Sequence, residues 1–202
     1  MTVDKSKLLK AIYEAIQWDR LYAILPQADR RQVDEFFQEL RDSFGPQPQE
    51  DLAAEVAGGH AVLCCDGASS GNPGPAGIGV VLATEDGREV LAWGRPIGKA
   101  TNNVAEYRAV TEGLTKALEL GVEEIEVRTD SELLVKQVTG DYGVKSAGLQ
   151  PLHAQVTGLL ARFRDWRVRH VPRAQNRRAD SLAVEAARSA RTERGGQDSA
   201  AP

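Results

Sequence analysis

Four acidic residues stand where predicted elements begin or end. Asp66 follows the apolar run HAVLCC, Glu106 falls in the first turns after TNN, Asp130 follows EIEVRT, and Asp180 lies in NRRADSLA. Each alone reads equally well as a turn former, a helix cap or a solvated carboxylate. In a central parallel sheet, however, strand ends and nearby helix starts meet at one rim. Like charges about 4 Å apart repel by on the order of 1 kcal/mol even in water, and by several times that when shielded. Cations must then fill such a cluster, and hard oxygen donors select Mg²⁺ or Mn²⁺. Two such ions clamp the attacking and leaving oxygens of a phosphodiester, so convergence implies phosphoryl transfer.

The elements that would position these acids are legible in the hydrophobic pattern. HAVLCCD (60–66) reads as a short buried strand that ends at Asp66. GIGVVLATEDG and REVLAWGRP read as an antiparallel pair joined by a turn at Asp86–Gly87. TNNVAEYRAVTEGLTKALELG has helical period and a glycine stop. EIEVRT alternates like a strand, SELLVKQVTG is a short helix with Ser131 as N-cap, and LQPLHAQVTGLLARF is another helix. WRVRHV is a strand and NRRADSLAVEAARSA a final helix. The order predicts an α/β domain over 60–190 with one mixed sheet. Before it lie two predicted helices (residues 5–44, a hairpin spanning 1–45) and a Pro/Gln/Gly-rich linker at 46–59. After it, 191–202 reads as a disordered tail.

Taken together, DGASSGNPGPAG, TNNVAEYRAV, RTDSELLVKQV and HVPRAQNRRADSLA resemble, in order and spacing, the motifs of type 1 ribonuclease H. The likeness covers residues 60 to about 190 and is nearest the compact bacterial and archaeal branch, which lacks a lysine-rich helical protrusion. It implies a five-stranded mixed sheet, three antiparallel strands first and parallel pairing after, flanked by helices. It implies endonucleolytic cleavage of the RNA strand of an RNA–DNA hybrid, leaving 3′-hydroxyl and 5′-phosphate ends. Asp66, Glu106, Asp130 and Asp180 match the family's metal-binding carboxylates, which hold two Mg²⁺ ions with Mn²⁺ as a substitute. Gly67, Ser69, Asn72, Thr101, Asn102 and Ser131 match or border positions that face the minor groove, where the 2′-hydroxyl distinguishes RNA from DNA. Thr101 or Asn102 reads equally as a helix cap. Glu132 departs from the pattern, standing where relatives commonly have glutamine.

Many relatives carry a mobile histidine upstream of the last aspartate. His170 has the expected spacing but ends a predicted strand. Arg173 is its rival, since a guanidinium can hold a phosphate although it cannot act as a base. Seven arginines from Arg162 to Arg178 make a basic stretch that reads either as a solvated surface or as a contact for hybrid phosphates. Trp93 and Trp166 read as core.

The bulk composition allows this reading without favouring it. The 202 residues carry a formal net charge of −4, so the chain as a whole is not a basic nucleic-acid binder. Cys64 and Cys65 are adjacent, which suits two small residues of a buried strand and no disulfide or metal spacing. MTVDKSKLLK contains no apolar h-region and no apolar run is long enough to span a membrane, so a soluble cytoplasmic protein is expected. The N-terminal hairpin cannot bury both of its apolar stripes alone. Docking on the main domain, self-association and a protein partner are the three ways to cover them. Two other functions stay open at this point: a non-catalytic hybrid- or protein-binding module, and a nuclease that also acts on double-stranded RNA.

Overall fold

A computed structural model of the chain describes residues 5–27, 29–43 and 49–195. They fall into two units that divide between Gln47 and Pro48.

The N-terminal unit is helical, with three helices where the periodicity suggested two: α1 (Lys5–Glu14), α2 (Trp18–Ile24) and α3 (Arg30–Ser43). The extra break, at Ala15–Gln17, brings Trp18 edge-on to Tyr13 at 5.9 Å and under the Arg30 guanidinium at 4.7 Å. Tyr13 also meets Phe37 of α3 edge-on at 5.1 Å, and Phe37 is buried. Asp29 caps α3 reciprocally: it accepts from Gln32 N–H at 2.8 Å, and its own N–H donates to Gln32 Oε1 at 3.0 Å.

The second unit opens with α4 (Glu50–Val56), inside the stretch expected to be a linker. Val56 is buried in the core, and Gln49 N–H donates to Val90 O at 2.9 Å, so this segment belongs to the domain. Then follow β1 (His60–Ser69), β2 (Gly74–Ala83), β3 (Glu89–Ala100), α5 (Asn102–Glu119), β4 (Glu124–Thr129), α6 (Glu132–Val138), α7 (Gln150–Leu160), β5 (Asp165–His170) and α8 (Arg177–Gly195). The sheet order is β3-β2-β1-β4-β5. β1 pairs antiparallel with β2 and β2 with β3, while β1–β4 and β4–β5 are parallel. This is the expected mixed sheet with its helices.

Helix α5 lies on one face of the sheet and α8 on the other. A Cβ on Gly67 would stand 2.2 Å from Glu106 N, inside the backbone of α5. A Cβ on Gly79 would stand 1.9 Å from Ala179 O, and one on Gly77 2.4 Å from Ala187 N, both in α8. The glycines around Asp66 therefore seat helices against strands. Asp66 does not end its strand; β1 runs on to Ser69, and Asp66 pairs with Gly79 across the hairpin.

Three smaller expectations change. Residues 191–195 continue α8 instead of beginning a tail, and 196–202 lie outside the described residues. Trp166 is not core; it is 38% exposed on the edge strand β5, whereas Trp93 packs against the core. Cys65 is buried and Cys64 half-buried, both as free thiols. Among the described residues, no helix is long and apolar enough to cross a membrane.

Candidate active site

All four acids line one open pocket, together with Gly67, Ala68, Ser69, Asn102, Arg173 and Val184. Three come from separate elements and the fourth from a strand–helix junction. Asp66 is in β1, Glu106 in the second turn of α5, Asp180 in the first turn of α8, and Asp130 lies between β4 and the start of α6. The parallel pairing of β1 with β4 makes this possible, because it carries Asp66 and Asp130 to the same end of neighbouring strands.

Each acid meets a different environment. Asp66 is only 8% exposed. Burial first, and then the neighbouring Asp130, Asp180 and Glu106 carboxylates, push its carboxyl up to about 7. Glu106 is raised in the same way by burial. It is partly held down by a 2.6 Å hydrogen bond from Ser131 Oγ and a 2.9 Å bond from Asn102 Nδ2. Asp130 accepts from Asn176 Nδ2 at 2.8 Å. Asp180 accepts from Arg173.

Residues expected near the substrate are split between the pocket and the scaffold. Thr101 caps α5, accepting from Val104 N–H at 3.3 Å, and so fixes the start of the helix that bears Asn102 and Glu106. Ser131 caps α6 while its hydroxyl donates to Glu106. Asn72 Oδ1 accepts from Asn102 N–H at 3.3 Å, and Ser69 Oγ donates to Ala100 O at 2.8 Å. These two ties hold the β1–β2 turn against the start of α5. Arg173 lines the pocket, while His170 is exposed at the end of β5 and does not line it. Glu132 pairs with Lys136 at 2.7 Å. Of the basic stretch, Arg164, Arg169 and Arg178 pair with Glu123 and Glu124, with Glu126 and with Glu89. Sequence reasoning missed Asn176, which is buried behind Asp130. The signal lay inside the last of the four motifs, as the residue four before Asp180 in QNRRAD.

The donor set suits a hard divalent cation. It consists of carboxylate oxygens, with a buried Asp66 that carries its charge at neutral pH only at a cost. Among the described residues, no three acids, histidines or cysteines already stand around one point. Glu106, Asp130 and Asp180 are instead held by Ser131 and Asn102, by Asn176, and by Arg173.

Comparison with known proteins identifies the family and the fold. A family profile described as reverse transcriptase-like matches residues 64–186. Ribonuclease HI of Halobacterium salinarum is 47% identical over 139 residues, covering 67% of this chain and 70% of that protein. Its crystal structure superposes with a TM-score of 0.62 over 63% of this chain and 97% of the other. A bifunctional protein of Mycobacterium tuberculosis is 48% identical over 126 residues, 62% of this chain, which spans only 35% of that longer protein. LC11-RNase H1, solved in complex with an RNA/DNA hybrid, is 40% identical with a TM-score of 0.62, covering 64% of this chain and 98% of the other. With its sheet order, its four converging carboxylates and these identities, the chain belongs to the ribonuclease HI family.

Proposed function

We propose that the second unit cleaves the RNA strand of RNA–DNA hybrids by metal-assisted phosphodiester hydrolysis, leaving 3′-hydroxyl and 5′-phosphate ends. The observation that carries this reading is the pocket shared by Asp66, Glu106, Asp130 and Asp180. It is supported by relatives named ribonuclease HI and by a similar protein solved with a hybrid. The four carboxylates would hold two Mg²⁺ ions, with Mn²⁺ as a substitute. When bound, the ions supply an activated water and positive charge for the scissile phosphate.

The chain's own residues do the positioning. Ser131 and Asn102 each occupy one oxygen of Glu106 and so fix its plane. Thr101 fixes the helix start that carries Asn102. Asn72, Asn102 and Ser131 are the small polar groups that would meet the sugar 2′-hydroxyls. Gly67 and Ser69 line the pocket and would join them, while also serving as framework: the Ser69 hydroxyl donates to Ala100 O and the missing Cβ of Gly67 makes room for α5. Arg173 provides the cation that would steady the scissile phosphate or its leaving group. The N-terminal unit would serve association with a second copy or a protein partner, since Leu8, Ile12, Ile24, Leu25 and Phe36 are exposed.

A hybrid-cleavage assay in Mg²⁺ tests the reading, with Asp130→Asn as the inactive control. Cleavage of the RNA strand alone, abolished in the control, is expected. No cleavage in either Mg²⁺ or Mn²⁺ would leave only the non-catalytic binding module.

A further inference from the structure

Asn176 is 1% exposed, and its side chain and backbone together reach three of the segments that carry the acids. Its Nδ2 donates to Cys65 O at 3.0 Å, the peptide that leads into Asp66. The same nitrogen donates to Asp130 Oδ1 at 2.8 Å. Its backbone carbonyl accepts from Asp180 N–H at 3.0 Å, which is the bond that opens α8. One residue thus ties together β1, the β4–α6 junction and α8.

The orientation of the amide is dictated by these partners. Both are acceptors, so a flipped side chain would set oxygen against oxygen. With both N–H groups used, Asn176 Oδ1 is left buried without a protein partner among the described residues. A group that only filled space would not leave a buried acceptor unmatched; an apolar side chain would fill the position without that cost. The donors are what this site uses.

We infer that Asn176 is a positioning residue of the hydrolytic site, fixing Asp130 by one of its oxygens against the strand that bears Asp66 and leaving the other oxygen for a cation. The inference rests on the metal-assisted reading above. A partner that orients a metal-holding carboxylate typically matters by about 10- to 100-fold in metal affinity or activity when removed.

The test uses the full chain. Calorimetric titration with Mn²⁺ alone should show binding weaker by about 10- to 100-fold in Asn176→Ala. kcat on a hybrid should fall by a similar factor while KM stays within about threefold. Mn²⁺ affinity equal to that of the unaltered chain would overturn the inference, even if the variant were less stable. A second measurement avoids the substitution altogether. In the unaltered chain, both side-chain amide protons of Asn176 should exchange slowly by NMR and shift on addition of Mg²⁺. Fast exchange, or no shift at a Mg²⁺ concentration that moves Asp130, would also overturn it. If the unaltered chain bound Mn²⁺ but cleaved no hybrid, the proposed function would fail while the titration still judged Asn176.

Discussion

Arg173 donates a hydrogen bond to the carboxylate of Asp180, so the guanidinium that lines the pocket is already attached to one of its four acids. His170, the other candidate, is exposed at the end of β5 and does not line the pocket. Arg173 is 68% exposed in its side chain, so this ion pair adds little to stability and its value lies in where it holds the charge. Arg173→Ala should therefore lower kcat on a hybrid by on the order of a hundredfold while leaving the melting temperature nearly unchanged. His170→Ala should leave kcat unaltered. Steady-state kinetics of both variants decide the matter, and the reverse ranking would assign the role to His170.

A second prediction concerns pH. The folded-state carboxyl of Asp66 is raised from its ordinary 3.8 to about 7. The native protein therefore keeps a proton that the unfolded chain has already lost. Between those two values, stability without metal falls as pH rises, by on the order of 4 kcal/mol from this group. Mg²⁺ binds the deprotonated form and should reverse the trend. Melting curves in chelator and in Mg²⁺ should show a larger metal-induced rise at pH 8 than at pH 6. An equal rise at both would contradict the assigned shift.

Glycine substitutions separate framework from freedom. Gly67→Ala would push a methyl into the backbone of α5 at Glu106. It should cost about 1–3 kcal/mol by overpacking. By displacing Glu106 it should also lower kcat by about a hundredfold. Gly158, within α7, is different: a Cβ added there would meet nothing within 4 Å. Gly158→Ala should instead stabilise the chain by about 0.5–1 kcal/mol and leave activity alone. Denaturant unfolding and a cleavage assay on the same two proteins measure both effects.

The N-terminal unit should be separable. Because α4 packs into the second unit, the dividing point to test is Pro48 and not a point within α4. Residues 48–202 should retain kcat within about threefold, as a site built wholly from later residues requires. Sedimentation of the full chain should show self-association that the shorter chain lacks. Equal monomeric behaviour of both would remove self-association and leave docking or a protein partner.

What was legible from the sequence followed from strong periodicities. Alternation in EIEVRT, the glycine stop after LEL and the turn at Asp86–Gly87 all correspond to observed boundaries of β4, α5 and the β2–β3 hairpin. The four acids were visible because each follows or opens such an element. The extension of β1 through Ser69 was not visible, because glycine and serine read locally as turn formers and only the pairing with β2 makes them strand. The break before Trp18 was hidden for a similar reason: an aromatic packing preference interrupts an otherwise helical stretch. Asn176 escaped notice because its role is defined by Cys65 O and Asp130, residues 111 and 46 positions away in the chain.

Gly79 is the cross-strand partner of Asp66, and Ala179, which it touches, immediately precedes Asp180. With no side chain between them, sheet and helix meet backbone to backbone. The placement of Asp180 relative to Asp66 is thus set by backbone packing, which no change of rotamer can alter. A single methyl at residue 79 would have to drive α8 off the sheet, and so would move Asp180 from Asp66 without altering either acid.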